Sequence, residues 1–434
     1  MPIRQLPDDD PGCGWVALLP PLPPPRRLLA KERADCAVLG AGFTGLAAAR
    51  QLAAHHPEWR VLLLEAQRVG FGASGRNSGF VVDVGHYERA RGVEGNRRLV
   101  RLGRAGRDHL RALVQAHGIE CAWTERGRLH GAVGDRGMRQ LEHFRAGLEA
   151  MSEPYEALDA QQMTAITGTS YYRAGVRTPG TVMVQPAALV RGLAANLPAN
   201  VELFEESPVQ GIQRGSPFTL QTRDGTVATD RLFLAANGFT AALGFLRRQI
   251  VPMFTFASLS RALSTEERTA LGGEPEWGLV PEERMGTTVR RTRDQRILIR
   301  NTVQYAAGMR VSAARLRAVR AIHQAAFAAR FPMLRGGDLE YTWGGIMGVS
   351  LNAAHYFGQL GDDLFAAGGY NGVGVALGTI SGKLLADLAV GADSEWLRDM
   401  RALPQPTPMP PQPLLGIGVR LTLARLQARA RSEL

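Results

Sequence analysis

Residues 36–45 read Cys36-Ala37-Val38-Leu39-Gly40-Ala41-Gly42-Phe43-Thr44-Gly45, and this stretch decides the fold. Cys36–Leu39 is a short apolar run of the kind that forms a buried parallel strand. The glycine turn follows without a gap, and 46–54, rich in Ala and Leu, reads as a helix. A second apolar run, 61–64, ends on Glu65. Strand, glycine turn, helix, strand and terminal acid form one unit of about 30 residues, the fingerprint of a dinucleotide site. Gly40 permits the tight turn, Gly42 lets a pyrophosphate approach the backbone, and Gly45 lets helix and strand pack closely. The helix start, at Phe43 and Thr44, offers free N–H groups and a positive dipole end to phosphates. Glu65 stands where a carboxylate accepts hydrogen bonds from ribose hydroxyls. By itself the unit does not distinguish FAD from NAD.

Working outward, the loop 67–84 carries Gly70-Phe71-Gly72-Ala73-Ser74-Gly75-Arg76-Asn77-Ser78-Gly79. These small residues suit a loop lying flat against a planar ring system and a pyrophosphate. Upstream, residues 1–32 hold a proline run, Pro20 to Pro25, and read as an extended arm leading into the first strand. Downstream, 86–117 reads as a long helix with Leu99, Leu102, Leu110, Leu113 and Val114 on one stripe. Gly103 and Gly106 interrupt that stripe. Strand material is expected at 121–133 and helices at 135–151 and 158–166. Pro186 opens a helix over 187–197. Short strands fill 201–234, with a hairpin turn at Asp224-Gly225. The last of them runs through Leu234-Ala235-Ala236-Asn237-Gly238, a strand entering another glycine turn.

The character changes from about 249 to 347, where strands alternate with helices, including one over 310–330. This reads as an antiparallel sheet, a separate substrate-binding layer. Phe254, Phe256, Tyr341 and Trp343 are candidates for an apolar pocket wall, although strand aromatics are more often plain core. The first style then returns. Strand 364–367, the turn Gly368-Gly369-Tyr370-Asn371-Gly372-Val373-Gly374 and a small-residue helix over 375–389 repeat the strand–turn–helix pattern. Nucleotide-binding elements at both ends imply one discontinuous domain with an insertion. The expected division is an arm at 1–32, a cofactor domain at 33–85, 150–245 and 345–395, a helical segment at 86–149, a substrate domain at 246–344, and a linker with a C-terminal helix at 396–434.

Composition narrows the class. With 434 residues, 45% hydrophobic and 21% charged, the chain can bury two or three ordinary globular cores. Its three cysteines show no metal-like spacing and no disulfide framework, which fits a reducing, cytoplasmic setting. No apolar run is long enough to span a bilayer, and Met1–Pro11 lacks a signal-peptide core. The net charge of +11 is nearly all arginine, since lysine occurs only at Lys31 and Lys383. The basic residues are scattered and no nucleic-acid motif accompanies them, so no nucleic-acid partner is expected. Residues 414–430 read as a basic amphipathic helix with Arg420, Arg425, Arg429 and Arg431. A peripheral membrane contact is one reading; docking on its own protein is the expected one.

Taken together, the motifs resemble the FAD-dependent amine and amino-acid oxidases of the D-amino-acid oxidase superfamily, in the branch of gamma-glutamylputrescine oxidase. The resemblance rests on Val38–Gly45 with Glu65, on the loop 72–79, and on the helix start Gln185-Pro186-Ala187-Ala188-Leu189-Val190. Leu234–Gly238, Trp343-Gly344-Gly345 and Gly368–Gly374 complete it. It implies an α/β (α+β) chain: a glutathione-reductase-like, Rossmann-type FAD domain with an inserted antiparallel-sheet substrate domain. It implies that Gly40, Gly42 and Gly45 hold the pyrophosphate and Glu65 the adenosine ribose. The loop Ser74–Ser78, with Arg76 and Asn77, would run beneath the flavin, Val209 would meet the adenine, and Tyr370, Asn371, Gly372 and Val373 would flank the pyrimidine side. Phe43, Thr44, Ala66, Gly72, Ala73, Ala236, Gly238 and Gly369 belong to the same cofactor set. Non-covalent FAD is expected, because no cysteine follows Cys121 and Arg76-Asn77 occupies the place of the attaching histidine.

The same resemblance implies hydride transfer from the carbon bearing nitrogen to flavin N5, giving an imine that water hydrolyses. With O2 as acceptor the second product is H2O2. The partners are then a small amine, amino acid or cyclic imino acid and O2 or another electron acceptor. A carboxylate-bearing substrate calls for an arginine and a tyrosine as anchors. Arg300 with Tyr305 is the first choice and Arg76 the second; Arg300 reads equally as a solvated strand-end residue. His86 and His355 are proton-carrier candidates, although lone histidines are usually structural. Two alternatives stay open: a flavin dehydrogenase passing electrons to a quinone or carrier, and a tRNA-directed or non-catalytic flavoprotein.

Overall fold

A computed structural model describes residues 3, 5–10, 12–334, 338–430 and 433; Arg431 and part of the stretch Met1–Pro11 lie outside them. Two eight-stranded sheets organise the chain. The first has the order Tyr356–Gly361, Leu364–Gly368, Thr226–Leu234, Lys31–Leu39, Val61–Leu64, Val201–Phe204. Its central pairings are parallel, with Val38 opposite both Leu63 and Phe233. Cys36, Ala37 and Val38 are fully buried because the strand is covered on both faces, which is why it reads as a continuous apolar run. Helices Phe43–His55, Gly92–His117 and Ala376–Ala389 share one hydrophobic core on one face. Residues around Leu62, Leu220 and Leu364 form the core on the other.

The two halves of the nucleotide domain meet as the repeated strand–turn–helix pattern implies. Leu364–Gly368 pairs parallel to Thr226–Leu234, and helix Ala376–Ala389 packs against Phe43–His55. That packing needs glycine at the seam: a Cβ on Gly382 would stand 2.0 Å from Thr44 O. Gly106 acts likewise, since a Cβ there would lie 2.1 Å from Ala376 O. Gly106 therefore marks close helix approach and Gly103 close approach of the loop, where a Cβ would stand 2.5 Å from Asp83 O, and helix Gly92–His117 runs through both without a break.

The second sheet has the order Leu339–Val349, Val251–Ser260, Ile297–Tyr305, Thr288–Arg291, Trp277–Pro281, Arg128–Ala132, Ala174–Thr178, Glu156–Asp159. This corrects the expected division of the chain. Strands 128–132, 156–159 and 174–178 fall outside 246–344, yet they extend the substrate sheet. Their entry point is a parallel pairing of Arg128–Ala132 with Trp277–Pro281, a contact between strands some 150 positions apart that local pattern cannot reveal. One face of the sheet packs on helix Ala313–Arg330, through Phe254, Phe256 and Val319. The opposite face looks toward the nucleotide domain.

The C-terminal helix, Leu414–Arg429, docks on its own chain, as the second of its two readings has it. Leu415, Val419 and Leu423 pack on a cluster containing Met253, Tyr305 and Met347. Its outer side leaves Leu414, Ile417 and Leu421 exposed. No described helix is long and apolar enough to cross a membrane.

Candidate active site

A cavity of about 700 Å³ lies between the two sheets, within the range of cofactor and ligand sites. Its floor is the opening motif. Gly40, at φ +102°, makes the left-handed turn that only glycine adopts freely. Gly42 is the N-cap of helix Phe43–His55, so the helix start faces the cavity with Gly42, Phe43 and Thr44 in its wall. Gly45 does not line the cavity. It allows the helix to seat, since a Cβ there would stand 1.8 Å from Gly40 O.

Glu65 follows the second strand and is held by two backbone donors: Ala41 N–H to Oε2 at 2.8 Å and Gln67 N–H to Oε1 at 3.0 Å. Burial raises its carboxyl group above the ordinary range, opposed by those two donors. Each oxygen keeps a free lone pair, the capacity a ribose diol requires.

The loop after Glu65 is more ordered than a small-residue stretch suggests. Residues Ala73–Arg76 form a helical turn, and Ser74 Oγ accepts from Phe43 N–H at 3.1 Å, joining loop to helix start. Gly72, Ala73, Ser74, Asn77 and Ser78 line the cavity. From the far side come Ala66, Val209, Ala236 and Gly238 and the late turn Tyr370, Asn371, Gly372 and Val373. Gly369 lies behind that turn at φ +75°, packed against Ile250 and Tyr356. Asn237 Oδ1 accepts from Gly369 N–H at 3.0 Å and so ties the two turns together.

Against these elements the wider comparisons decide the family. The model of the DAO family, FAD dependent oxidoreductase, matches residues 35–388. The chain belongs to the DAO family of FAD-dependent oxidoreductases. It is 28% identical over 400 residues to a probable oxidoreductase OrdL of Rhizobium meliloti, covering 89% of this chain and 90% of that protein. It is 27% identical over 371 residues to gamma-glutamylputrescine oxidoreductase of Escherichia coli, covering 82% of this chain and 84% of that one. In structure it is similar to glycine oxidase from Geobacillus kaustophilus, with a TM-score of 0.71 at 23% identity, over 84% of this chain and 96% of that one. The residues present fit FAD: a glycine cradle at a helix start, an acid with free lone pairs, and a small-residue loop facing a second glycine turn.

The three substrate-anchor candidates separate in the structure. Arg300 projects from the sheet and lines the cavity. Among the described residues no carboxylate pairs with it, and burial pulls its pKa below the ordinary arginine value. Tyr305 does not line the cavity. Its hydroxyl accepts from Gln412 Nε2 at 2.6 Å and Arg420 covers its ring, so it seats the C-terminal segment. The register sets Arg300 opposite Ala257 and Tyr305 opposite Met253, at two ends of one face, and the C-terminal helix covers the Tyr305 end. Arg76 is also corrected. Its guanidinium is taken up by Phe71 O at 2.5 Å, Gly344 O at 2.8 Å and Asp10 Oδ2 at 3.0 Å. It braces the loop and has no free fork for a substrate.

Of the four aromatic wall candidates, Phe256 lines the cavity. Trp343 donates from Nε1 to Arg76 O at 3.0 Å, Phe254 packs with Phe256 toward the helix face of the sheet, and Tyr341 packs in the cluster of Trp15 and Trp343. His355 is buried beside Met400 Sδ, and burial lowers its pKa to about 4.

Sequence reasoning missed three contributors. Arg290, 2% exposed, donates from Nη1 to Val184 O at 2.6 Å and Gly79 O at 3.2 Å, pinning the end of the loop that follows Glu65. Thr255 lines the cavity with a buried Oγ1 that has no hydrogen-bond partner. The arm residues Asp9 and Asp10 reach the loop from outside the matched region. None has a local motif by which the sequence could have revealed it.

Proposed function

We propose that this enzyme oxidises the C–N bond of a small amine that carries a carboxylate, an amino acid or a related compound. The observation that carries the reading is Arg300, a guanidinium without an acid partner on the sheet that roofs the cavity. A buried cation is costly unless a ligand completes it, and a planar fork suits a carboxylate. The names of relatives agree in class: a gamma-glutamylputrescine oxidoreductase and a glycine oxidase both act on nitrogen compounds.

FAD, when bound, supplies the hydride acceptor and the return of electrons to O2 or another acceptor. The chain supplies position. Arg300 holds the carboxylate and thereby fixes the carbon bearing nitrogen. Thr255 Oγ1, buried and unpartnered, offers a hydrogen bond to a polar group of the same ligand. Met253, Val303 and Met347 make the neighbouring wall apolar, which keeps water away and disfavours a charged ammonium there. The neutral amine is the form that can release hydride.

The test is anaerobic bleaching of the yellow holoenzyme by a panel of amines, amino acids and cyclic imino acids. Bleaching by carboxylate-bearing members supports the reading; bleaching by simple amines alone refutes it. A second reading has the electrons pass to a quinone or protein carrier. The exposed Leu414, Ile417 and Leu421 on the C-terminal helix favour it as a contact face. Turnover with O2 alone, with H2O2 as product, separates the two.

A further inference from the structure

The family match begins at residue 35, yet the chain before it reaches into the cofactor cavity. Ile3, Gln5, Leu6, Pro7 and Asp9 line the same cavity as Gly40–Thr44 and Glu65. The arm is tied at both sides of the opening. Ile3 N–H donates to Gln210 O at 2.8 Å, next to Val209 on the nucleotide side. Gln5 Nε2 donates to Ala307 O at 3.1 Å, just past the substrate-sheet strand Ile297–Tyr305. The arm therefore crosses the cavity from one sheet's side to the other's.

Two acids fasten it at its inner end. Asp9 Oδ2 accepts from Gln67 Nε2 at 2.9 Å, and its side chain is 4% exposed. Asp10 Oδ2 accepts from Arg76 Nη1 at 3.0 Å and from Gly344 N–H at 3.2 Å. Asp10 O also accepts from Arg76 Nη2. One carboxylate thus joins arm, flavin loop and substrate sheet. Beyond it, Trp15 Nε1 donates to Asn77 O at 2.9 Å, and Gln185 Nε2 donates to Trp15 O at 2.6 Å. The anchoring is continuous from Gln210 to the helix that opens at Pro186.

We propose that residues 3 and 5–10 form a strap that retains FAD, closed over the adenosine side of the cavity, with Asp9 and Asp10 as its latches. No cysteine follows Cys121, non-covalent FAD is the expectation, and retention of such a cofactor rests on contacts of this kind. A strap walling the cavity acts on release more than on capture, because it must open before the ligand leaves. Linkage makes the effect reciprocal: a ligand held by the closed arm also stabilises the closed arm.

The test follows flavin fluorescence as holoenzyme releases FAD into buffer containing excess apoprotein of another flavoprotein as a trap. Two variants are compared with the parent: a chain lacking residues 1–8, and D9N/D10N. Each is expected to release FAD about tenfold faster or more, the scale of one lost charge-assisted hydrogen bond. In the chain lacking residues 1–8, which keeps both acids, the thermal midpoint of the apoprotein should shift little while the extra stability conferred by FAD shrinks. In D9N/D10N, which leaves the buried Arg76 without its carboxylates, the apoprotein also loses stability, and the FAD-conferred part is read against that lower baseline. Hydrogen exchange in 3–17 should slow when FAD binds the parent. Release within twofold of the parent in both variants would overturn the proposal. So would, in the shortened chain, faster release accompanied by an equal loss of apoprotein stability, which marks general unfolding; in D9N/D10N, an FAD-conferred stability equal to the parent's would overturn it. Should the short chain fail to fold, D9N/D10N alone decides.

Discussion

Thr44 Oγ1 and Tyr370 Oη lie 2.9 Å apart, although 326 positions separate them in the chain. The pair joins the first turn of the opening helix to the late glycine turn, and so closes the discontinuous domain at the cofactor. Burial pushes the Tyr370 hydroxyl up to about 12, so the bond persists through neutral and mildly alkaline pH. Tyr370→Phe is expected to cost about 1–2 kcal/mol, since it leaves a buried Thr hydroxyl unpaired. Calorimetry and FAD titration should show a lower thermal midpoint and weaker flavin binding. An unchanged FAD affinity would separate this contact from the cofactor site.

Two glycines make a sharp contrast. A Cβ on Gly45 meets Gly40 O at 1.8 Å, backbone against backbone, whereas a Cβ on Gly308, away from the cavity, meets nothing within 4 Å. Gly45→Ala is expected to yield protein without bound flavin or none that folds. Gly308→Ala should purify yellow, with a thermal midpoint close to the parent's. Absorbance of the purified variants reads the result.

Arg290 holds the flavin loop from the substrate sheet, with Glu276 Oε1 3.7 Å away. Removing one member of such a buried pair costs about 3–5 kcal/mol because the other charge is left alone. Arg290→Met should therefore destabilise the protein by that order in urea denaturation. Adding Glu276→Gln should recover part of the loss. No recovery would mean that the carbonyl contacts at Gly79 and Val184 matter, and the ion pair does not.

Three buried histidines, His130, His323 and His355, have pKa values lowered to about 4 by desolvation. Their unfolded counterparts titrate near 6.5. Groups buried in the neutral form stabilise the fold fully above the unfolded value, and lose that contribution as pH falls through the folded one. Glu282, which accepts from His130 Nδ1 at 2.5 Å, is depressed and adds loss in the same direction. The thermal midpoint is expected to drop steeply between about pH 6.5 and 4. A flat profile there would show that the histidines are solvated in solution.

Much of this was legible in the sequence, for identifiable reasons. The parallel core strands read as apolar runs because both faces are covered, and the glycine turns read plainly because φ +102° at Gly40 demands that residue. Helix ends followed caps and prolines. The second sheet was half legible. Its central strands alternate visibly, but Arg128–Ala132 and Glu156–Asp159 joined through pairings that only tertiary structure supplies. Tyr305 and Arg76 were misplaced because residue type announces a capacity for binding, whereas the partners that consume it, Gln412 and Asp10, come from distant segments. Asp9 and Asp10 escaped notice because an arm has no periodicity to read.

Arg300 is the residue on which the functional account turns. The most direct measurement is the anaerobic rate of flavin reduction by an accepted amino acid and by its decarboxylated amine, in the parent and in Arg300→Met. The parent is expected to prefer the amino acid by tenfold or more, on the order of one charge-assisted pair. The variant is expected to lose this preference through weaker substrate binding, while still holding FAD. Equal preference in parent and variant would contradict the assignment of Arg300 and with it the carboxylate-bearing substrate.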